Sequence, residues 1–269
     1  MKTRVFFFIS CLLLTAVGCW AQSKTVKGNG NVITKEIPIS DYDEISYVGK
    51  MNIEYKQSDG APSLTVKVDE NILSNVEIKV KGRTLVIQPK YEKKSFGRNS
   101  SLSLDPTVFE IKTNSRSLKD IDAVGAGEFK VLSPLSGDKL EVSIAGSSTV
   151  HFTKLLEVRK AEFSVAGSGD LIAAKLKADN LDCSVAGSGS IKIEGEVERS
   201  DLSVAGGGDI HTFGCKQRKA ECSVAGGGDI EVYAVEQLDA SIAGGGDIRY
   251  EGDPKLSQSV IGGGSIRKK

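Results

Sequence analysis

The chain has 269 residues, of which 35 are basic and 35 acidic, so its formal net charge is zero. This balance gives no electrostatic reason to expect a nucleic acid or an anionic membrane as partner. Aromatic residues make up only 6% of the chain, whereas 30 residues are glycine. This composition disfavours a helical domain and favours many short strands joined by tight bends.

Residues 1–21 are predicted to be a signal peptide. Two basic residues precede the apolar run Val5–Val17, which is too short to span a bilayer. Cys19 and Ala21 are small residues with the spacing for cleavage before Gln22. Alternatively, Ala16–Cys19 could serve as a lipobox and leave Cys19 as the lipidated N-terminus. We prefer simple cleavage, because a lipobox usually has leucine in its first position. Both routes predict an exported chain, periplasmic, secreted or lipid-anchored at the outer membrane, with no transmembrane segment after processing.

Residues 22–135 are predicted to form an N-terminal β region. Alternating apolar and polar residues indicate strands at Ile45–Val48, Met51–Tyr55, Leu64–Val68, Val76–Val80 and Leu85–Ile87. Turns are expected at Ser58–Pro62 and Lys81–Arg83, a single helical turn at Asp69–Asn75 and a loop at Tyr91–Ser101. Tyr47–Ile53 looks like a degenerate copy of the repeat that follows. We expect this region to cover one end of the repeat array.

Residues 136–269 repeat one unit seven times, as in SVAGSGDL and SVAGGGDI. The first glycines are spaced 18 to 21 residues apart, at Gly146, Gly167, Gly187, Gly206, Gly226, Gly244 and Gly262. Gly125 begins a fainter copy. Self-similarity at this period is typical of a solenoid, continuous here with the preceding region, in which each unit buries its apolar face against its neighbours.

Alignment on the first glycine produces two apolar columns. Two residues before it stand Ile144, Val165, Val185, Val204, Val224, Ile242 and Val260, and four after it stand Val150, Leu171, Ile191, Ile210, Ile230, Ile248 and Ile266. Period-two alternation predicts half-buried strands, and the glycines predict a bend between them. Because parallel crossovers are nearly always right-handed, the predicted fold is an all-β, right-handed parallel β-helix.

Two charged columns are predicted on the outer face. Acidic residues recur five positions before the glycine and mostly basic residues seven positions before it, so that each column should offset repulsion within the other. At the C-terminus, Arg267–Lys269 are expected to protect the last strand from edge-to-edge association.

The residues that follow the glycines include a broken aspartate ladder of Asp170, Asp209, Asp229 and Asp247. Aspartate beside glycine also occurs in the calcium-binding nonapeptide of β-rolls, but here there is one motif per turn and Ser190 interrupts the ladder. Backbone hydrogen bonding at the bend is the preferred interpretation, and a calcium ladder is the alternative. No cofactor is expected.

Catalytic chemistry finds little support in the sequence. The two histidines, His151 and His211, share one column three turns apart. Cys183, Cys215 and Cys222 remain after cleavage, and an odd number argues against a disulfide framework. Cys183 and Cys222 are expected to be small core residues. The largest departure from the repeat is the segment Lys93–Ser101, and such departures often mark functional sites.

The opening VKGNGNV, the run Tyr42–Gly49, the segment Asn75–Ile87 and the serial SVAGSGDL-like units resemble the bacterial family named putative auto-transporter adhesin, head GIN domain. The resemblance implies an exported β-helical envelope protein and brings no catalytic residues with it. We therefore expect a non-enzymatic protein that binds a glycan or another envelope component, or that is structural and homo-oligomeric. The alternatives are a carbohydrate-active enzyme on a β-helix scaffold and a calcium-stabilised repeat protein.

Overall fold

A computed structural model describes residues 25–93 and 99–269 of the chain. The predicted signal peptide, its two cleavage positions and Cys19 lie outside these residues and stay predictions, as does the division of the chain at residue 135. Within the described residues, no helix has the length and apolarity that a bilayer-spanning segment requires.

The fold is an all-β solenoid of parallel stacked coils with about seven turns, as predicted. The strands of the repeat region are β12 (Asp120–Val131), β13 (Leu135–Phe152), β14 (Leu156–Gly167), β15 (Asp170–Gly187), β16 (Ser190–Gly206), β17 (Asp209–Gly226), β18 (Ile230–Gly244), β19 (Asp247–Glu251), β20 (Lys255–Gly262) and β21 (Ser265–Lys268). Most of them run across more than one side of a coil. The segment that leads from one repeat into the next is itself paired with its neighbours, which gives each coil a third side.

The N-terminal region continues the same sheet rather than standing apart from it. Its elements are β1 (Thr25–Lys27), β2 (Val32–Glu36), β3 (Glu44–Lys50), β4 (Asn52–Gln57), β5 (Ser63–Asp69), α1 (Glu70–Leu73), β6 (Val76–Lys81), β7 (Thr84–Pro89), β8 (Tyr91–Lys93), β9 (Asn99–Ser101), β10 (Ser103–Asp105) and β11 (Phe109–Ser115). Strand β3 pairs in parallel with β12 and β7, and β4 pairs in parallel with β12 and β11. Antiparallel β2, β5 and β6 complete the cover.

The prediction of a loop at Tyr91–Ser101 is wrong at both ends of this segment. Residues 91–93 pair antiparallel with residues 99–101 as β8 and β9, because serine and lysine are compatible with short strands as well as with a loop. Residues 94–98, the middle of the segment singled out as a departure from the repeat, lie outside the described residues.

The core lies inside the coils, in the columns that the sequence predicts. Val185, Val204 and Val224 stack on consecutive coils and are each 1–2% exposed. Towards the N-terminus the interior becomes aromatic, with Phe129 stacked between Tyr47 and Tyr55 at ring-centroid distances of 6.2 and 6.4 Å.

A ladder of stacked glycines forms the bend between two sides of the coil. It runs through Gly49, Gly125, Gly146, Gly167, Gly187, Gly206, Gly226, Gly244 and Gly262, all with φ between 122° and 145°. Residues other than glycine rarely adopt this backbone conformation. The register of Gly49 against Gly125 confirms that Tyr47–Ile53 is a copy of the repeat.

Candidate functional site

The aspartate ladder binds the backbone of the next coil. Asp209 Oδ1 accepts the backbone N–H of Asp229 at 3.0 Å, Asp229 Oδ1 that of Asp247 at 2.9 Å, and Asp247 Oδ1 that of Ser265 at 2.9 Å. Asp170 Oδ1 instead accepts the Ser190 hydroxyl at 2.8 Å. Hydrogen bonding to the backbone at the bend was predicted. The structure shows that these bonds link one coil to the next instead of lying within a single bend.

Guanidinium groups lie against the second carboxylate oxygen at the end of the ladder. Arg249 lies 3.5 Å from Asp229 Oδ2, and Arg267 lies 2.6 Å from Asp247 Oδ2. The Ser265 hydroxyl and these cations lower the pKa of Asp247. Among the described residues, no three His, Cys, Asp or Glu side chains converge on a point suited to a metal ion. This arrangement favours a structural ladder over a calcium site, which needs six to eight oxygens.

The histidines and cysteines form no common site in the described chain. His151 and His211 share one column with two residues between them, about 14 Å apart. The thiols of Cys183, Cys215 and Cys222 are free and buried. Burial raises the pKa of Cys215 to about 12, so that its thiolate is scarce at neutral pH.

The predicted acidic column is longer than the seven repeats. Eight acidic residues stack in register on the outer face, namely Glu44, Asp120, Glu141, Glu162, Asp182, Asp201, Glu221 and Asp239. The basic column bridges part of it, since Lys139 Nζ contacts Glu141 at 2.9 Å and Glu162 at 2.7 Å. Where bridging cations are few, burial followed by repulsion from Asp122, Glu141 and Glu44 raises the pKa of Asp120 to about 7.

The third side of the coils contains an open groove that the sequence analysis missed. Its volume is about 720 Å³, and its floor consists of small residues, Gly137, Val158, Ala178 and Val197. It extends from Gly137 on β13 to Glu236 on β18 through five strand spacings, about 24 Å. We call this surface, with its two walls, the charged groove.

Each wall of the charged groove mixes acidic and basic residues. One wall consists of Glu157, Lys177, Glu196 and Lys216, and the other of Asp138, Arg159, Asp179, Glu198, Arg218 and Glu236. Most of these charges are paired within the groove, and Lys177 contacts Glu157 at 2.7 Å. Arg159 makes a bidentate contact with Asp138 at 2.6 and 3.0 Å, and Arg218 joins Glu198 and Glu236 at 2.6 and 3.0 Å.

Three charged groups of the charged groove remain outside these ion pairs. Within the described part of the chain, Asp179, Glu196 and Lys216 take part in no ion pair. Two carboxylates and one ammonium group thus face the groove over consecutive coils, where they could accept hydrogen bonds from hydroxyl groups and donate to them. No signal at the repeat glycine marks this surface, because its columns lie eight to ten residues away and vary in chemistry.

A second, smaller cavity lies beside the N-terminal cover. It has a volume of about 210 Å³ and is lined mainly by apolar side chains, among them Val48, Met51, Leu102, Leu104 and Phe109. We call it the apolar pocket. Its size suits part of an alkyl chain or a single ring rather than a whole drug-sized molecule.

Comparison with known proteins agrees with this architecture. Residues 41–254 match the family described as putative auto-transporter adhesin, head GIN domain. A crystal structure from Parabacteroides distasonis, described as a putative lipid binding protein, is 48% identical over 91% of this chain and 100% of its own, with a TM-score of 0.89.

Two further crystal structures are described as putative adhesins. The one from Parabacteroides merdae is 34% identical over 92% of this chain and 100% of its own, with a TM-score of 0.84. The other, from Parabacteroides distasonis, is 35% identical over 91% of this chain and 100% of its own, with a TM-score of 0.83. No curated protein matches the chain.

Proposed function

Because the chain belongs to the family described as putative auto-transporter adhesin, head GIN domain, we propose that it is a non-enzymatic, adhesin-like protein of the cell envelope that binds an extended glycan in the charged groove. Export is part of this proposal and depends on the predicted signal peptide at residues 1–21.

The observation that carries the proposal is the shape and chemistry of the charged groove. It runs along the solenoid axis, so a linear polymer can contact one coil after another. Hydrogen-bonding groups recur at each strand spacing of about 4.8 Å, which is close to the length of one sugar unit in an extended polysaccharide. Asp179, Glu196 and Lys216 are the groups that we expect to contact its hydroxyls.

The affinity of such a site would come from hydrogen bonds and repeated contacts. None of the described residues lining the groove is aromatic, so ring stacking on a sugar face does not contribute. A short oligosaccharide should therefore bind weakly. A polymer that engages several coils should bind more tightly, because each added contact is intramolecular.

The test compares two charge-neutral double variants on glycan arrays and immobilised envelope polysaccharides. Glu196→Gln with Lys216→Gln removes one acid and one base from the groove and should abolish binding. Lys192→Gln with Glu194→Gln removes an exposed pair, 3.6 Å apart, that is not among the groove-lining residues, and should leave binding unchanged. Absence of binding by the wild type, or equal loss in both variants, would contradict the proposal.

Lipid binding is the second candidate, and the apolar pocket is the observation that favours it. The 48% identical structure is described as a putative lipid binding protein, and the pocket offers Met51, Leu102, Leu104 and Phe109 to an alkyl chain. A dansyl-labelled fatty acid should then bind the wild type, and Leu104→Gln should remove that binding. Val124→Gln alters a 41% exposed valine outside the pocket and serves as the control.

A further inference from the structure

The last described coil has an edge that no other described strand covers. Among the described strands, β20 pairs only with β18 and β21 only with β19, so both present an unpaired backbone edge. Val260 is 42% and Ile261 is 74% exposed, whereas Ile242, the equivalent of Val260 one coil earlier, is 3% exposed. We call β20 and β21 the C-terminal edge.

The charges that were expected to protect this edge are already balanced. Arg267 contacts Asp247 at 2.6 Å, and Lys269 contacts Glu251 at 2.7 Å. Lys268 likewise pairs with Asp253. The three cations therefore face carboxylates of the same chain, and the edge offers less electrostatic repulsion than the sequence alone indicates.

The sequence of the last coil also departs from the repeat in a consistent direction. The acidic column ends in Ser257, and the column of bend residues ends in Ser265. Gln258 stands in a core column where the earlier coils have apolar residues or cysteine. At positions 257 and 265 the edge has neutral serines, whereas the earlier coils mostly have carboxylates there. At position 258 it has a polar glutamine, whereas the earlier coils have apolar residues or cysteine.

We infer that the C-terminal edge binds a second copy of this chain, with β20 antiparallel to its counterpart about a two-fold axis through Gln258. Opposed residues of antiparallel strands lie on the same face, so the residue numbers of each pair must have an even sum. Centring on Gln258 places Leu256 opposite Val260 of the second copy and Ser257 opposite Ser259. The two Gln258 amides then meet at the axis and can pair with each other.

Charge favours a copy of this chain over a head-to-tail array. Acidic residues at position 257 of both copies would be diagonal neighbours about 7–8 Å apart, and serine removes that repulsion. At the other end of the solenoid, the edge strands β2 and β6 carry charged residues that protect them, among them Lys35, Glu77 and Lys79. The association should therefore close at a dimer rather than grow into a fibre.

Sedimentation velocity on the full chain tests the interface. The wild type should show a reversible monomer–dimer equilibrium, and Val260→Asp should weaken it by about tenfold or more. Leu155→Asp, which alters an equally exposed apolar residue away from the edge, should not. A wild type that stays monomeric at millimolar concentration, or species larger than a dimer, would overturn the inference.

Cysteine cross-linking tests the register and does not depend on the folding of Val260→Asp. Under mild oxidation, Gln258→Cys should form a covalent dimer that the wild type, with the same native cysteines, does not form. Ser257→Cys and Ser259→Cys should each stay monomeric alone and cross-link when mixed. Self-linked Ser257→Cys, or no cross-link from Gln258→Cys, would refute the two-fold axis proposed here.

Discussion

Replacing Gly226 by alanine should destabilise the solenoid far more than the same change one residue later. Gly226 has a φ of +133°, and a Cβ added there would lie 2.4 Å from the carbonyl oxygen of Gly206 on the preceding coil. That oxygen also accepts the backbone N–H groups of Gly227 at 2.8 Å and Gly228 at 3.0 Å. A side chain at Gly226 would therefore separate two coils at a point where two backbone hydrogen bonds join them.

The magnitude follows from two additive costs. Holding a non-glycine residue in this region of φ costs about 1–3 kcal/mol. Lengthening the two hydrogen bonds to Gly206 costs about 1 kcal/mol each. Gly226→Ala should thus lower the free energy of unfolding by about 3–5 kcal/mol.

Gly227 provides the matched control within the same bend. A Cβ there would meet no atom within 4 Å, and its φ lies outside the left-handed region. Three other coils carry serine at this position, at Ser147, Ser168 and Ser188. Gly227→Ala should therefore change the free energy of unfolding by no more than about 0.5 kcal/mol.

Gly228 separates the two costs. A Cβ there would lie 2.0 Å from the Gly208 carbonyl oxygen, without a positive φ. Gly228→Ala should destabilise through coil separation alone. Urea unfolding followed by circular dichroism gives the three values, and hydrogen exchange shows whether the loss stays near the altered coil, as nearest-neighbour coupling predicts. Equal effects of Gly226→Ala and Gly227→Ala would refute the reasoning.

Three further predictions concern the core, the acidic column and the bend. Val204→Asp places a charge among stacked valines and should cost several kcal/mol in urea unfolding; a variant as stable as the wild type would contradict the register. The pKa of Asp120 is about 7 in the folded state against an ordinary 3.8, so the folded state binds the proton more tightly than the unfolded state. The free energy of unfolding should therefore fall as the pH rises from about 4 to about 7. Asp120→Asn should flatten that slope in thermal melts. Millimolar calcium should leave the melting temperature unchanged; a rise of many degrees that Asp229→Asn abolishes would disprove this.

The coil interior was predictable because its two apolar columns keep one chemical class. Val204 and its neighbours are apolar in every repeat, so their alternation indicates both burial and register. The copy at Gly49 was recognisable for the same reason, although 76 residues separate it from Gly125. When the same residue type recurs at a fixed distance from the bend, the sequence alone indicates whether that position is buried or exposed.

The charged groove could not be predicted in this way. Its floor combines Gly137, Val158 and Ala178, and the register shifts near Gly195 and Cys215 because the coils differ in length. Alignment on the bend glycine keeps the groove columns together, eight to ten residues before it, but each of these columns mixes residue classes and so indicates no common environment. Pairing partners such as Arg159 and Asp138 are 21 residues apart, and only the stacked coils bring them together.

The glycine ladder also allows a whole coil to be gained or lost as one unit. Because Gly206 and Gly226 occupy equivalent positions, excision of the 20 residues 207–226 would join two identical SVAG segments into one without moving any other column out of register. Unequal recombination between such segments would lengthen or shorten the molecule by whole coils, each worth about 4.8 Å of axial length. The length of the charged groove would then be set by the number of coils.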